Sequence, residues 1–450
     1  MDLIIGLIAV ILVGYYIVKG YSATGVLMSV GLLLLLCSVL LDKSILPNGV
    51  KSTGSLYLDI FEYVKYLLMN RGGNLGMLIM VLCGFAAYMT HLGANDMVVK
   101  LASQPLKHIK SPYILMVVAY FLACLMSLAV PSATGLGVLL MATLFPLMVN
   151  VGISRGAAAA ICASPAAIIL SPTSGDVVLA AEVSKMPLLE FAFNLTLPIS
   201  IAAIISIAIA HFFWQRYLDK KEGHQAEILD VTEIKTTAPR FYAILPFTPI
   251  IGVLIFDGKI APELHIITII VICLLLVATI DFLRTFSAKQ VYENLNAAYQ
   301  GMADAFSSVV MLLVAAGVFA QGLSTVGFIH SLIDSVQSFS SGGFVMMIAL
   351  AIITALAAIT TGSGNAPFYA FVELIPKLAT QMGINPAYLT IPMLQASNIG
   401  RSLSPVSGVV VAVSGMAKIS PFEVVKRISV PMIVGLIVVI VATEILVVSS

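Results

Sequence analysis

ASPAAIILSPTSG (Ala163–Gly175) returns 233 positions later as ASNIGRSLSPVSG (Ala396–Gly408), with seven identities and no gap. Each copy sets Ser, Pro and Gly inside an otherwise apolar run, where a membrane helix has to stop and restart. Backbone freed from a helix in hydrocarbon must be satisfied by protein or by a water-lined cavity. Two matched breaks at corresponding points of two halves therefore imply a solute site of the kind secondary transporters build.

The composition fits that setting. The 450 residues are 60% hydrophobic and 10% charged, with a mean hydropathy of +1.06, which excludes a soluble core with a charged exterior and implies an all-α polytopic membrane protein. A formal net charge of +1 gives no reason to expect nucleic acid as a partner. Cys37, Cys83, Cys124, Cys162 and Cys273 lie in apolar runs without CxxC or metal-ligand spacing and read as buried, unpaired thiols. MDLIIGLIAVILVGYYIVKG at the start lacks a basic n-region and a small-residue cleavage site, so it reads as the first span and not as a removable signal.

A crossing needs about 20 apolar residues. Such segments fall at 3–20, 24–41, 75–92, 155–183, 189–213, 241–257, 264–283, 306–327, 386–417 and 425–448, giving ten crossings. Two further apolar pieces, 112–150 and 343–380, have polar, Gly-rich centres at Pro131–Gly137 and Thr360–Pro367. They read as re-entrant hairpins, the alternative being two full crossings each. Gly84-Phe85 and Gly317-Val318 match at the same 233-residue offset, so the duplication covers nearly the whole chain.

Residues 1–213 form the first repeat, with hairpin 112–150 and broken helix 155–183. Residues 241–450 form the second, with hairpin 343–380 and broken helix 386–417. Five crossings per half turn the second copy over, so the expected fold is a pair of inverted-topology repeats. Lys and Arg sort accordingly: one side collects fifteen, including Lys19, Lys107, Lys110, Lys235 and Lys426, and the other seven, including Lys43, Arg71, Lys259 and Lys377. The positive-inside rule puts the fifteen in the cytoplasm and both termini outside. Residues 214–240 are then a cytoplasmic linker, opened by Trp214 and Tyr217 as interfacial anchors.

A helix restarting inside the membrane presents free amides and roughly half a positive charge, where anions collect. Ser171, Thr173, Ser174, Ser404 and Ser407 offer hydroxyls beside those amides, and Gly175 and Gly408 permit close backbone approach. Ser132, Thr134, Gly135, Thr361, Ser363, Gly364 and Asn365 would cap the site from the hairpin tips, and Asn398 would join it from the second broken helix. A dicarboxylate would match two such lobes facing each other. The alternative is that these hydroxyls satisfy carbonyls one turn back or join helices.

Arg401 stands in the second break where the first copy has Ile168. A cation at bilayer depth costs about 2.5–3.5 kcal/mol on insertion scales and is usually paired or functional. It is expected to neutralise one substrate carboxylate; the alternative is an internal pair with Asp176 or Glu373. Asp176 follows SPTSG and either couples transport to H⁺ or Na⁺ or caps the half-helix that begins beside it. Glu182 and Glu373 are further acidic candidates. The six histidines make no HExxH and no GK[ST] P-loop occurs, so neither an intramembrane metalloenzyme nor ATP drive is supported, and no cofactor or metal is expected. Internal inverted repeats also favour a carrier over a passive channel.

GFAAYMTH (84–91), SATGLGVLLMATLFP (132–146), GISRGAAAAICASPAAIIL (152–170), SPTSGDVVLAA (171–181), ILPFTPIIGVLIFDGK (244–259), TTGSGNAPFYAFVE (360–373) and 385–427 carry a resemblance that runs essentially end to end. With them the chain resembles the DcuC family of anaerobic four-carbon dicarboxylate transporters. The resemblance implies an inner-membrane carrier of succinate, fumarate and malate, working in succinate efflux or fumarate/succinate exchange. It also implies membership of the ion transporter superfamily, in which a transport domain, here 112–183 and 343–417, moves like an elevator against a dimeric scaffold. Superfamily members with Na⁺ sites carry Ser-Asn-Thr at the hairpin tips. Here Ser132-Ala133-Thr134 and Gly362-Ser363-Gly364-Asn365 depart from that pattern, leaving protons or pure exchange open.

Overall fold

The computed structural model describes residues 2–47, 50–223, 236–256, 258, 260–328, 331 and 342–448. The centre of the expected linker, with Lys235, and Lys259 lie outside the described residues. Those described are helical, without a strand.

Seven described helices are long and apolar enough to cross a bilayer, among them Ala23–Leu40, Ile266–Thr285 and Pro421–Val447. An eighth span forms if Met77–His91 and Ala94–Leu106, bent by 66°, are taken together. The count falls short of ten because both broken spans divide into shorter helices, such as Arg155–Ala163 and Gly175–Val183, of nine residues each. At 1.5 Å per residue each of those two reaches about 14 Å, half a membrane. Residues 241–257 likewise form a 3₁₀ segment, Arg240–Phe247, and a short helix, Thr248–Ile255.

Two helices begin well before their apolar parts. Leu56–Arg71 runs through a π-turn at Gly72–Gly76 into Met77–His91, and Ala288–Ala305 runs through one at Phe306–Val310 into Met311–Val326. Their leading halves carry Asp59, Glu62, Lys65 and Arg71, or Lys289, Glu293 and Asp304, so hydropathy registers only the later part. Helices 77–91 and 288–305 cross at Gly84 and Gly301. A Cβ on Gly84 would lie 2.7 Å from the Ala298 carbonyl oxygen, and one on Gly301 would lie 3.0 Å from that of Cys83. Small residues let two backbones pack this closely.

Both expected hairpins are pairs of helices. Pro112–Met126 turns through 127–132 into Ala133–Asn150. Gly342–Thr361 turns through 362–364 into Asn365–Val372, followed by Ile375–Met382. The outgoing arm of the first and the incoming arm of the second are each of crossing length. Some backbone details recur at nearly the same offset: Gly93 and Gly327 are both left-handed (φ 73° and 96°), as are Lys185 and Lys418 (54° and 55°).

A buried polar cluster fastens Leu197–Lys221 to Pro421–Val448. The Arg427 side chain, 2% exposed, pairs with Asp219, Glu222 and Glu423. Gln215 donates to the Arg427 carbonyl at 2.7 Å, and Ser154 donates to Asp219 at 2.5 Å. Trp214, expected as an interfacial anchor, donates its indole N–H to the Lys426 carbonyl at 3.2 Å.

Candidate functional site

The two breaks differ in length, and one residue accounts for it. In the first copy the helix ends at Ala163, Pro165–Ala167 form a 3₁₀ turn, and the chain runs on without helix from Ile168 through a turn at Ser171–Ser174 until the helix restarts at Gly175. Proline has no N–H to continue the helical ladder. The second copy has Asn398 at the position of Pro165, and its helix runs on from Pro386 to Ser402 before restarting at Gly408. Arg401, expected within the break, therefore occupies the last helical turn before it.

The non-helical chain of the first break is satisfied by side chains from elsewhere. Ile169 donates its N–H to Gln395 Oε1 at 3.0 Å, while its carbonyl accepts from Ser200 Oγ at 2.9 Å and Gln395 Nε2 at 3.3 Å. Gln395 thus does for this backbone what a neighbouring strand would do. Arg401 Nη2 donates to the Ala166 carbonyl at 2.6 Å, tying the two broken helices together.

These pieces surround a cavity of about 200 Å³. The first break contributes Ser171, Thr173, Ser174, Gly175 and Asp176; the second broken helix contributes Asn398 and Arg401; the second hairpin contributes Asn365 and Tyr369. The opposite wall is an apolar stripe on helix 77–91, formed by Ile79, Leu82, Cys83 and Ala86. Ser127 and Pro131 of the first hairpin and Val309 of the π-turn at Phe306–Val310 also line it.

Within the cavity the polar groups are only partly spent. Tyr369 donates its hydroxyl to Asp176, and the Ser171 and Thr173 hydroxyls share a hydrogen bond at 3.0 Å. Arg401 makes no ion pair within 4 Å among the described residues, and its Nε has no partner. Of the carboxylates weighed against it, Asp176 takes Tyr369 and Glu373 takes Arg71 at 2.6 Å. Asn398 donates to the Leu394 carbonyl at 3.0 Å while its Oδ1, also buried, is unpaired. Asp176 is not the capping residue of its half-helix: Ser174 holds the N-cap position and Asp176 lies in the first turn.

The other expected residues lie elsewhere. Ser132 accepts from the Gly135 N–H at 3.1 Å, capping the first hairpin's outgoing helix at an exposed tip. Thr134 abuts Gly408, where a Cβ would lie 3.0 Å from its hydroxyl oxygen. Thr361 and Ser363 line an adjacent cavity of about 480 Å³ with Thr24 and Ser308, and Asn365 borders both chambers. Gly364 gives its carbonyl to Ser397 Oγ. Ser404 and Ser407 are fully buried and accept from the N–H groups of Val406 and Val410, both at 3.4 Å. In place of two mirrored lobes, the cavity is built mainly from the first break, because the second break's hydroxyls are engaged in its own turns. Sequence reasoning did not single out Tyr369 or Gln395, whose roles depend on partners far along the chain. Among the described residues no group of three or more His, Cys, Asp and Glu is placed to hold a metal ion.

Multiple apolar helices enclosing a polar cavity, with helices broken beside it, define a multi-pass membrane transport protein. The chain belongs to the DcuC family, the C4-dicarboxylate anaerobic carriers, whose family model matches residues 1–448. It is 72% identical over 447 residues to the anaerobic C4-dicarboxylate transporter DcuC of Escherichia coli K12, covering 99% of this chain and 97% of that one. In fold it is similar to the YdaH transporter of Alcanivorax borkumensis (TM-score 0.65, 16% identity, covering 94% of this chain and 97% of that one). It is also similar to MtrF of Neisseria gonorrhoeae (TM-score 0.58, 14% identity, covering 94% of each). The protein is a carrier and not an enzyme.

Proposed function

We propose that this chain carries succinate, fumarate and malate across the bacterial inner membrane by alternating access, chiefly as succinate efflux or fumarate/succinate exchange in anaerobic metabolism. The observation that carries the substrate assignment is Arg401, a guanidinium on the cavity with no carboxylate within 4 Å among the described residues. A guanidinium matches a carboxylate in shape as well as charge. The first carboxylate sits on Arg401. The second faces the restart of the first half-helix, where the Ser174–Asp176 amides and the Ser171 and Thr173 hydroxyls converge. Asn365 and Asn398 supply amide groups from the side, with Gly364 keeping the hairpin tip close.

The halves act as inverted repeats with both termini periplasmic, assembled as a homodimer. Asp176, in the same cavity as Arg401, is the coupling residue for H⁺ or Na⁺. Ser132, Thr134, Gly135, Thr361, Ser363, Ser404, Ser407 and Gly408 serve the site indirectly, by holding the hairpin tips against the second break.

The test is counterflow of labelled succinate in proteoliposomes, with pH and Na⁺ gradients imposed separately. Arg401→Ala and Arg401→Lys should both depress exchange, and near-normal exchange by both would discard the role. Asp176→Asn should remove the response to one of the two gradients. A saturable flux that unlabelled succinate fails to inhibit would point to a different organic anion.

A further inference from the structure

Away from the substrate cavity, Arg71 joins two elements that are distant in sequence. It is the last residue of helix 56–71, immediately before the π-turn, and it donates from Nη1 to Glu182 at 3.0 Å and from Nη2 to Glu373 at 2.6 Å. Glu182 lies in the last turn of the half-helix that begins at the first break, and Glu373 follows the short helix of the second hairpin's tip. One cation thus clamps two elements of the proposed transport domain onto the scaffold. The triad holds one positive and two negative charges, so one negative charge is left over.

The surplus has a definite address. The Glu373 side chain is 8% exposed, and its Oε1 has no hydrogen-bond partner. Glu373 borders a separate cavity of about 260 Å³, which shares no lining residue with the substrate cavity. The charged and titratable groups facing it are Arg71, Tyr63 and Tyr66 from helix 56–71, Glu182, and Lys377 from the following helix. Lys377 does not compensate Glu373: its ammonium donates to Gln321 at 3.0 Å and Ser324 at 2.7 Å on helix 311–326. At the positions 233 residues away from Arg71, Glu182 and Glu373 stand Asp304, Gly415 and Leu140, which cannot form such a clamp. The device therefore exists on one side of the pseudo-symmetric molecule.

We propose that Glu373 is a proton-binding site that controls movement of the transport domain, distinct from the substrate cavity and from Asp176. The inference rests on the alternating-access reading above. A proton from the aqueous phase adds to Oε1 and the Arg71–Glu373 ion pair opens; Arg71 stays with the scaffold, and Glu182, whose side chain is 45% exposed, exchanges it for water. Without the proton, separating these elements would strand a buried carboxylate, which is strongly disfavoured. The proton is released when the pair re-forms.

The experiment is succinate counterflow at equal pH on both sides of the membrane, across roughly pH 6 to 9. If only the protonated form moves, wild-type exchange falls by up to about tenfold per pH unit above the midpoint. Glu373→Gln, which mimics the neutral side chain, should give a flat profile, fast at alkaline pH. Glu182→Gln removes a negative neighbour and should shift the midpoint to lower pH. Profiles in both variants that overlay the wild type would overturn the proposal. A second measurement does not need Glu373→Gln to fold: Arg71→Cys with Glu373→Cys, in a chain whose native cysteines are serine, should lose counterflow when the two thiols are bridged by a bis-methanethiosulfonate linker long enough to replace the two side chains, and regain it on reduction. Full exchange by the cross-linked protein would overturn the proposal. Absence of succinate counterflow from the wild type at every pH would instead refute the substrate reading, and the cross-link would then be read with whichever anion exchanges.

Discussion

Tyr369 donates its hydroxyl to Asp176, joining the second hairpin to the first broken helix across 193 positions of sequence. Both side chains are buried, at 1% and 7% exposure. A hydrogen bond to a charged acceptor contributes about 1.5–3 kcal/mol. Tyr369→Phe should therefore destabilise the purified protein by about that much, read as a lower thermal unfolding midpoint, and should loosen the hairpin tip that carries Asn365. An unchanged midpoint would mean that Asp176 is held by something other than Tyr369.

Gly364 tests how tightly the second hairpin tip is pressed on the second broken helix. A Cβ there would lie 2.8 Å from Asn398 Oδ1 and 3.3 Å from Arg401 Nη1. Overpacking of this size costs about 1–3 kcal/mol unless the neighbours shift. Both neighbours line the cavity, so Gly364→Ala should cost more free energy in succinate binding, read from the KM ratio in counterflow, than in unfolding. Equal effects on both would place the clash away from the ligand.

Which parts of this were readable beforehand follows from the physics of each feature. The breaks were legible because Ser-Pro-x-Ser-Gly interrupts apolar runs twice, and the structure opens the helix at 164–174 and 403–407. Arg401 was legible as a cation in an apolar stretch; its helical setting was not, because it turns on Asn398 replacing Pro165. Leu56–Arg71 and Ala288–Ala305 escaped because a charged helix carries no hydropathy signal. Tyr369 and Gln395 escaped for another reason: a tyrosine or glutamine among apolar residues has no meaning until its partner is known, and Asp176 and Ile169 lie 193 and 226 positions away.

The Arg427 cluster should behave as a buried ion network does. Removing one partner of such a pair costs about 3–5 kcal/mol, because the remaining charge is left uncompensated. Arg427→Met should lower stability by about that much, and adding Asp219→Asn should recover part of it, giving a large coupling energy in a double-mutant cycle. Strict additivity of the two changes, measured by thermal unfolding, would show that Asp219 does not depend on Arg427.

Lys185 and Lys418 sit 233 residues apart, each in left-handed backbone (φ 54° and 55°) just past the half-helix that follows a break. Both are exposed, so neither conformation is imposed by side-chain burial. A non-glycine residue in this region is disfavoured by about 1–2 kcal/mol relative to right-handed backbone, whereas glycine is not. Lys185→Gly and Lys418→Gly should each raise the unfolding midpoint, offset in part by the greater freedom glycine gives the unfolded chain. If the two helix ends are equivalent parts of a duplicated fold, the gains should be similar in size. A gain at one site and a loss at the other would show that the matching dihedrals arise from different surroundings.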